Sequence, residues 1–206
     1  MEDINFFKHN GIDFKGILRA LVVNIKAGRV VQGGSTLTQQ LARNLFLTKK
    51  RNISRKLAEA ILAVKIERKY TKIEILQMYL NQVYWGHNAY GIESASRLYF
   101  GKSAKQINLA ESAMLVGLLT GPELYSPLRN FERAKKRQRI ILNSMAKNKI
   151  ITKDEAEFAY KEEVVINKRK KSWINSVICA TPEITRNDLE RNMIDIEQFS
   201  LVIFDE

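Results

Sequence analysis

A mainly α-helical fold follows from three observations on the sequence. Apolar residues recur at i, i+3, i+4 and i+7 in one segment after another, the spacing of a helix face turned toward a core. The pairs Thr36/Gln39, Thr71/Glu74, Asn108/Glu111 and Thr152/Glu155 each set a side-chain acceptor three residues before a Glu or Gln, as a capping box requires. No internal repeat and no βαβ alternation competes with that pattern.

The opening MEDINFFKHNGIDF holds Glu2 and Asp3, then Phe6, Phe7, His9 and Gly11, with Gly11 predicted to close a first short element. Residues 16–27 carry Ile17, Leu18, Leu21, Val22 and Ile25 at helical spacing, with Arg19 and Lys26 elsewhere on the wheel. Such a helix either packs on a core or lies in a membrane interface, its basic residues near phosphate headgroups. In the second case the following AGRVVQGG is a mobile, basic loop. Gly33 and Gly34 lead into Ser35 and Thr36, where a helix begins with Leu37, Leu41, Ala42 and Leu45 on one face and Gln39, Gln40, Arg43 and Asn44 on the remainder. Lys49, Lys50 and Arg51 separate it from a helix over about 55–70, which Ser54 can cap.

Thr71 caps the next helix, predicted to run to about Val83 with Ile75, Leu76, Tyr79 and Leu80 on its apolar side. After the loop WGHNAYG, residues 92–100 resume helical spacing and Gly101 stops it. LAESAMLVGLLTG, capped by Asn108, is the predicted central core helix, and Gly121-Pro122 ends it. A basic amphipathic helix spans 131–148 with Ala134, Ile140, Ile141 and Met145 available for burial, and a short one follows Thr152 to about Tyr160. Residues 1–167 therefore read as one domain. Residues 168–206, with KRKK, an acidic stretch from Asp188 to Glu197 and the β-prone FSLVIF, read as a tail that is partly disordered or docked as a strand.

The net charge of +12 is unevenly placed, at +16 over residues 1–149 and −4 over 150–206. A basic body calls for an anionic partner: nucleic acid, an anionic membrane surface or a phosphorylated substrate. One cysteine, Cys179, excludes an intramolecular disulfide and a cysteine-rich metal site. No run approaches the roughly 18 apolar residues of a spanning helix, and the first residues lack a signal peptide's apolar stretch, so the chain as written shows neither anchor nor export signal. There is no phosphate loop and no HExxH motif. Ser144 and Lys147 have SxxK spacing but lack the companion motifs of that chemistry, which leaves them a structural role on a basic helix.

Three features can carry chemistry. The helix start at Thr36 offers unpaired N–H groups and the positive end of a dipole, which suit a phosphate, although a well-capped helix on a core has the same pattern. Glu59 lies one turn from Arg55 and close to Lys56; taken alone, Arg55/Glu59 is an ordinary surface ion pair. Glu2 stands beside the His9/Gly11 turn. Two carboxylates support glycosyl chemistry when one removes a proton from an attacking hydroxyl and the other stabilises charge or assists departure. With a pyrophosphate leaving group, cations that neutralise its growing charge do much of the work of a general acid.

Glu2-Asp3 with Phe6 and His9, GGSTLTQQLARN, RKLAE, ILQMYLNQVYWG, AYGIESASRLYFGK and SPLRNFERAKKR together resemble, in order and spacing over about residues 2–165, the peptidoglycan glycosyltransferase domain of family 51. That domain is the polymerase module of class A penicillin-binding proteins and of monofunctional transglycosylases. The resemblance implies a lysozyme-like helical domain with a small membrane-associated jaw after His9, at the outer face of a bacterial cell membrane. It implies polymerisation of lipid II, with inversion and release of undecaprenyl pyrophosphate, and as partners lipid II, the growing glycan, the membrane surface and other cell-wall synthesis proteins. On that pattern Glu2 is the general base and Glu59 the second essential carboxylate. Arg43, Arg55 and Lys56 hold pyrophosphate; Ser35, Thr36, Gln39 and Gln40 wall the donor site, where moenomycin also binds; Asp3, His9, Gly34 and Asn44 support them, while Asn81 and Tyr84 are structural. No cofactor is certain, and dependence on Mg2+ or Mn2+ stays open because no ligand cluster is visible.

Family members carry a transmembrane helix and a further segment before the Glu-Asp pair. The expectation is therefore a fragment or a weakened product, with a noncatalytic remnant that binds lipid pyrophosphate or a cell-wall partner as the alternative. A hydrolase that admits water ranks below these. A nucleic-acid binder ranks last, because the charges sit inside the glycosyltransferase motifs.

Overall fold

The computed structural model describes residues 2–31, 33–46 and 53–167, which form eight α-helices. These are α1 (Phe14–Ala27), α2 (Leu37–Phe46), α3 (Ile53–Lys69), α4 (Lys72–Gln82), α5 (Ile92–Phe100), α6 (Leu109–Leu118), α7 (Phe131–Lys147) and α8 (Lys153–Lys161). Short 3-10 turns occur at Phe6–Lys8 and Ala104–Gln106. Among the described residues the only bridge of β type is the isolated antiparallel pair Tyr84 and Tyr90. The domain is thus mainly α, as the periodicity predicts. The basic run at 49–51 and the whole of 168–206, with Cys179 and FSLVIF, lie outside the described residues.

Local chemistry sets the helix starts. Reciprocal capping boxes close at Thr71/Glu74, Asn108/Glu111 and Thr152/Glu155, and at Thr36/Gln39 the Thr36 N–H donates to Gln39 Oε1 at 3.1 Å while Gln39 N–H donates to Thr36 Oγ1 at 3.2 Å. Ser54 does not cap α3, because the helix already includes Ile53 and Ser54 lies inside its first turn. α1 begins earlier than its apolar run, at Phe14, because Asp13 accepts from Gly16 N–H at 2.9 Å and caps it.

Two buried clusters hold the domain. The larger joins α5, α6, α7 and α8 around Trp85, Tyr99, Met114, Leu115, Leu118, Ile141 and Leu142. α6 is its centre as predicted, and seven of its ten residues are buried. Gln138, fully buried on α7, donates from Nε2 to the Ala110 carbonyl at 2.7 Å and ties α7 to α6. Ile140, expected inside, is instead half exposed, because burial on α7 follows Ala134, Gln138, Ile141 and Leu142. The smaller cluster joins α2, α3 and α4 around Leu37, Leu41, Ala42, Ile66, Ile75 and Tyr79, and Phe6 of the first turn inserts into it. Leu45, expected on the buried face of α2, is exposed near that helix's end.

α1 is not a core helix. Only Gly16 and Ala20 are buried, whereas Phe14, Leu18, Leu21 and Ile25 are 75, 63, 54 and 70% exposed. The loop after it folds back, with Val31 N–H donating to Asn24 Oδ1 at 2.8 Å. Gly34 of that loop passes so close to α1 that a Cβ would lie 3.0 Å from Ile17 Cα.

Candidate active site

The site is assembled at the start of α2 from three parts of the chain. The first is the turn that carries Glu2 and Asp3. Gly11 N–H donates to His9 Nδ1 at 3.2 Å, which puts the ring proton on Nε2, and Nε2 donates to Asp3 at 3.0 Å. The same Asp3 carboxylate accepts from Leu37 N–H at 3.0 Å, an acid against the positive end of α2. Thr36 Oγ1 donates to the Gly11 carbonyl at 2.7 Å. Gly11 itself has φ +93° and packs where a Cβ would stand 3.0 Å from the Ala63 backbone of α3, so a larger residue would push the turn off that helix. Asp3 and His9 are therefore anchors of the turn, and Glu2 projects from it, exposed.

The second part is α3. Glu59 is 1% exposed, and its carboxylate receives Lys56 Nζ at 2.6 Å and Arg55 at 3.3 Å. A buried carboxylate is costly unless paired, and two cations offset that cost here. Lys56, half exposed, also donates to Ser35 Oγ at 2.7 Å. Its ammonium has three donors, and these two contacts occupy two of them.

The third part is α2 with α4 beneath it. Gln40 Nε2 donates to Glu2 Oε2 at 3.4 Å, and Tyr79 of α4 donates its hydroxyl to Gln40 Oε1 at 3.3 Å. Burial, reinforced by the Glu2 carboxylate and opposed by Arg43, pushes the Tyr79 phenol up to about 12. Thr36 and Gln39 are buried, and their polar atoms serve the capping box and the Gly11 contact. Asn44 is exposed on the far part of α2.

A small cleft opens between the first turn, the start of α1 and the loop before α2, lined by Glu2, Asp3, Ile4, Asp13, Gly16, Arg19 and residues 33–36. The structure thus brings Glu2, Asp3, Gly34, Ser35 and Thr36 to one cleft, and links it to Lys56 and Glu59 through Ser35 and to Gln40 directly. Sequence reasoning missed Arg19, Asp13 and Tyr79. An arginine inside an otherwise apolar helix is a signal for the first, and an aspartate just before a helical run is one for the second; Tyr79 lies on the predicted apolar face, with nothing local to reveal its partner 39 residues away. Elsewhere, Tyr84 donates to Glu123 at 2.7 Å, in keeping with a structural role. Among the described residues no group of three or more His, Cys, Asp or Glu side chains is arranged to hold a metal ion.

An exposed carboxylate, a second one held by two cations and a polar helix start thus stand close together in the fold. The transglycosylase family model matches residues 1–146. The chain is 47% identical over 170 residues to penicillin-binding protein 1A of Aquifex aeolicus, an alignment covering 82% of this chain and 23% of that protein. It is 49% identical over 154 residues to penicillin-binding protein 1B of Haemophilus influenzae (73% and 20%) and 48% over 162 residues to penicillin-binding protein 2D of Bacillus subtilis (79% and 23%). A crystal structure of penicillin-binding protein 1A from Haemophilus influenzae aligns at 26% identity with a TM-score of 0.46, covering 76% of this chain and 20% of that one. The chain belongs to the transglycosylase family, the peptidoglycan glycosyltransferases. It spans about a fifth to a quarter of the length of the curated relatives it matches.

Proposed function

We propose that this domain, lysozyme-like in fold, polymerises lipid II into glycan strands at the outer face of a bacterial membrane, with inversion at the anomeric carbon. The observation that carries the reading is the meeting at one helix start of an exposed carboxylate, Glu2, and a cation-held buried one, Glu59, through the Gln40 and Lys56–Ser35 contacts. Glu2 takes the proton from the 4-hydroxyl of the acceptor's GlcNAc. The oxygen attacks C1 of the donor sugar, the bond from C1 to the pyrophosphate oxygen breaks, and undecaprenyl pyrophosphate leaves. Lys56, Arg55 and Arg43 take up the charge that builds on it. Glu59 keeps Lys56 and Arg55 in place for that task, and Ser35 with Gln40 completes the donor wall.

The outward apolar face of α1, flanked by Lys15, Arg19, Lys26 and Arg29, supports a membrane-seated jaw that presents the site to a lipid-linked substrate. Among the described residues no helix is long and apolar enough to cross a membrane. Other cell-wall synthesis proteins are natural partners for such an activity, and nucleic acid is not.

Turnover of purified lipid II in liposomes, read as glycan strands, tests the assignment. Glu2→Gln should lower it by at least about a hundredfold, the scale of a lost general base, and moenomycin should block the unmodified protein. Normal output from Glu2→Gln would remove Glu2 as the base. Moenomycin binding without any product would mark a noncatalytic lipid-pyrophosphate binder. Parallel reactions with EDTA, Mg2+ and Mn2+ read metal dependence.

A further inference from the structure

We propose that Tyr79 is a positioning residue for Glu2, acting through the side-chain amide of Gln40; the inference rests on the reading of Glu2 as the base. A glutamine amide presents a carbonyl on one side and an NH2 on the other, and the two faces have opposite electrostatic sense. Only the NH2 face is attractive to a carboxylate. The Tyr79 hydroxyl donates to Gln40 Oε1, which leaves Nε2 turned to Glu2 Oε2. Rotating the amide by half a turn would set its carbonyl against the Glu2 carboxylate, so the carboxylate selects the orientation and the phenol, donating to the oxygen thus presented, holds the amide in place against it.

Tyr79 is suited to that task because it is buried and stays neutral. It is 2% exposed, locked in the cluster with Phe6, Leu37, Leu41 and Ile75. Its raised titration keeps it a neutral donor across the range in which carboxylates gain and lose protons. The other charged groups around Glu2 come from every neighbouring element. They are Asp3 in its own turn, with His9 behind it, Asp13 and Arg19 at the start of α1, Lys56 with Glu59 reaching Ser35 from α3, and Arg43 on α2. The hydrogen bond to Glu2 itself comes from Gln40, so the placement of that amide governs how the carboxylate is held.

The test uses lipid II turnover by the full chain with Tyr79→Phe, which keeps the ring and removes one oxygen, in both the parent and Gln40→Ala backgrounds. Expected is a kcat about five- to tenfold lower with KM little changed. In the Gln40→Ala background the same change should add less than about twofold, because the path through the amide is already gone. Equal losses in both backgrounds, or a loss carried by KM with kcat unchanged, overturn the inference while leaving the base assignment intact. Full activity of Glu2→Gln overturns the base assignment instead, and the inference with it.

Discussion

α1 and α6 are both rich in apolar residues, and the molecule treats them in opposite ways. Met114, Leu115 and Leu118 of α6 are at most 2% exposed, covered by α5, α7 and α8. Leu18, Leu21 and Ile25 of α1 are more than half exposed, and only Gly16 and Ala20 of that helix are buried. Apolar periodicity therefore predicts a helix, and what covers its face is a separate question. For α6 that cover is the domain's own core. For α1, the contiguous apolar face is what a partner or a bilayer would take.

The comparison can be broken by mutation. The largest expected effect on stability is at the centre of α6. Leu115→Ala should cost about 2–5 kcal/mol and be seen as a clear fall in the midpoint of thermal or urea unfolding, because it leaves a cavity at a buried position of the larger cluster. A midpoint unchanged by this substitution would mean that the α6 cluster is not the core.

The matching pair on α1 should do the reverse. Leu18→Ser with Ile25→Ser should leave the unfolding midpoint within about 0.5 kcal/mol of its original value, since these side chains are exposed in the folded chain. The same pair should weaken sedimentation with anionic lipid vesicles by tenfold or more, on the order of one to two lost apolar insertions. Unchanged vesicle binding would separate α1 from any membrane role.

The smallest effect sharpens the comparison at the anchoring end of α1. The carboxyl of Asp13 is held below its ordinary value by hydrogen bonds, first from Asn5 and then from Gly16 N–H. A depressed folded-state value means that its stabilisation is present above the unfolded carboxylate range near pH 4 and is lost as pH falls through the folded value. Asp13→Asn should therefore flatten the acid end of the stability curve, by a modest amount because the site is partly solvated. Identical acid unfolding of the two proteins would show that the cap contributes nothing.

Much of this architecture was legible because its causes are local. The capping boxes at Thr71/Glu74, Asn108/Glu111 and Thr152/Glu155 link residues three apart, so the chain declares those helix starts wherever it folds. The Lys56/Glu59 contact is local in the same sense. The motif order carried the family, and with it the candidate site residues. What stayed hidden depends on distant partners. Gln138 is a polar residue with nothing nearby in sequence to mark it as buried, yet its amide is buried against the Ala110 carbonyl of another helix. Tyr79 reads as apolar filling, yet its hydroxyl reaches Gln40, and Gln40 reaches Glu2 across 38 positions.

By itself, then, the sequence determined the helices, most of their starts and the motifs that name the family, since propensity, capping and spacing act over a few residues. Only the tertiary structure decided which apolar face meets protein and which is left outward. It also decided that Asp3 is tied to the start of α2 and that Glu2, Gln40 and Tyr79 form one chain of contacts. Those outcomes depend on which surfaces meet, and a hydrogen bond of about 3 Å between residues nearly forty positions apart exists only once the packing between helices has been made.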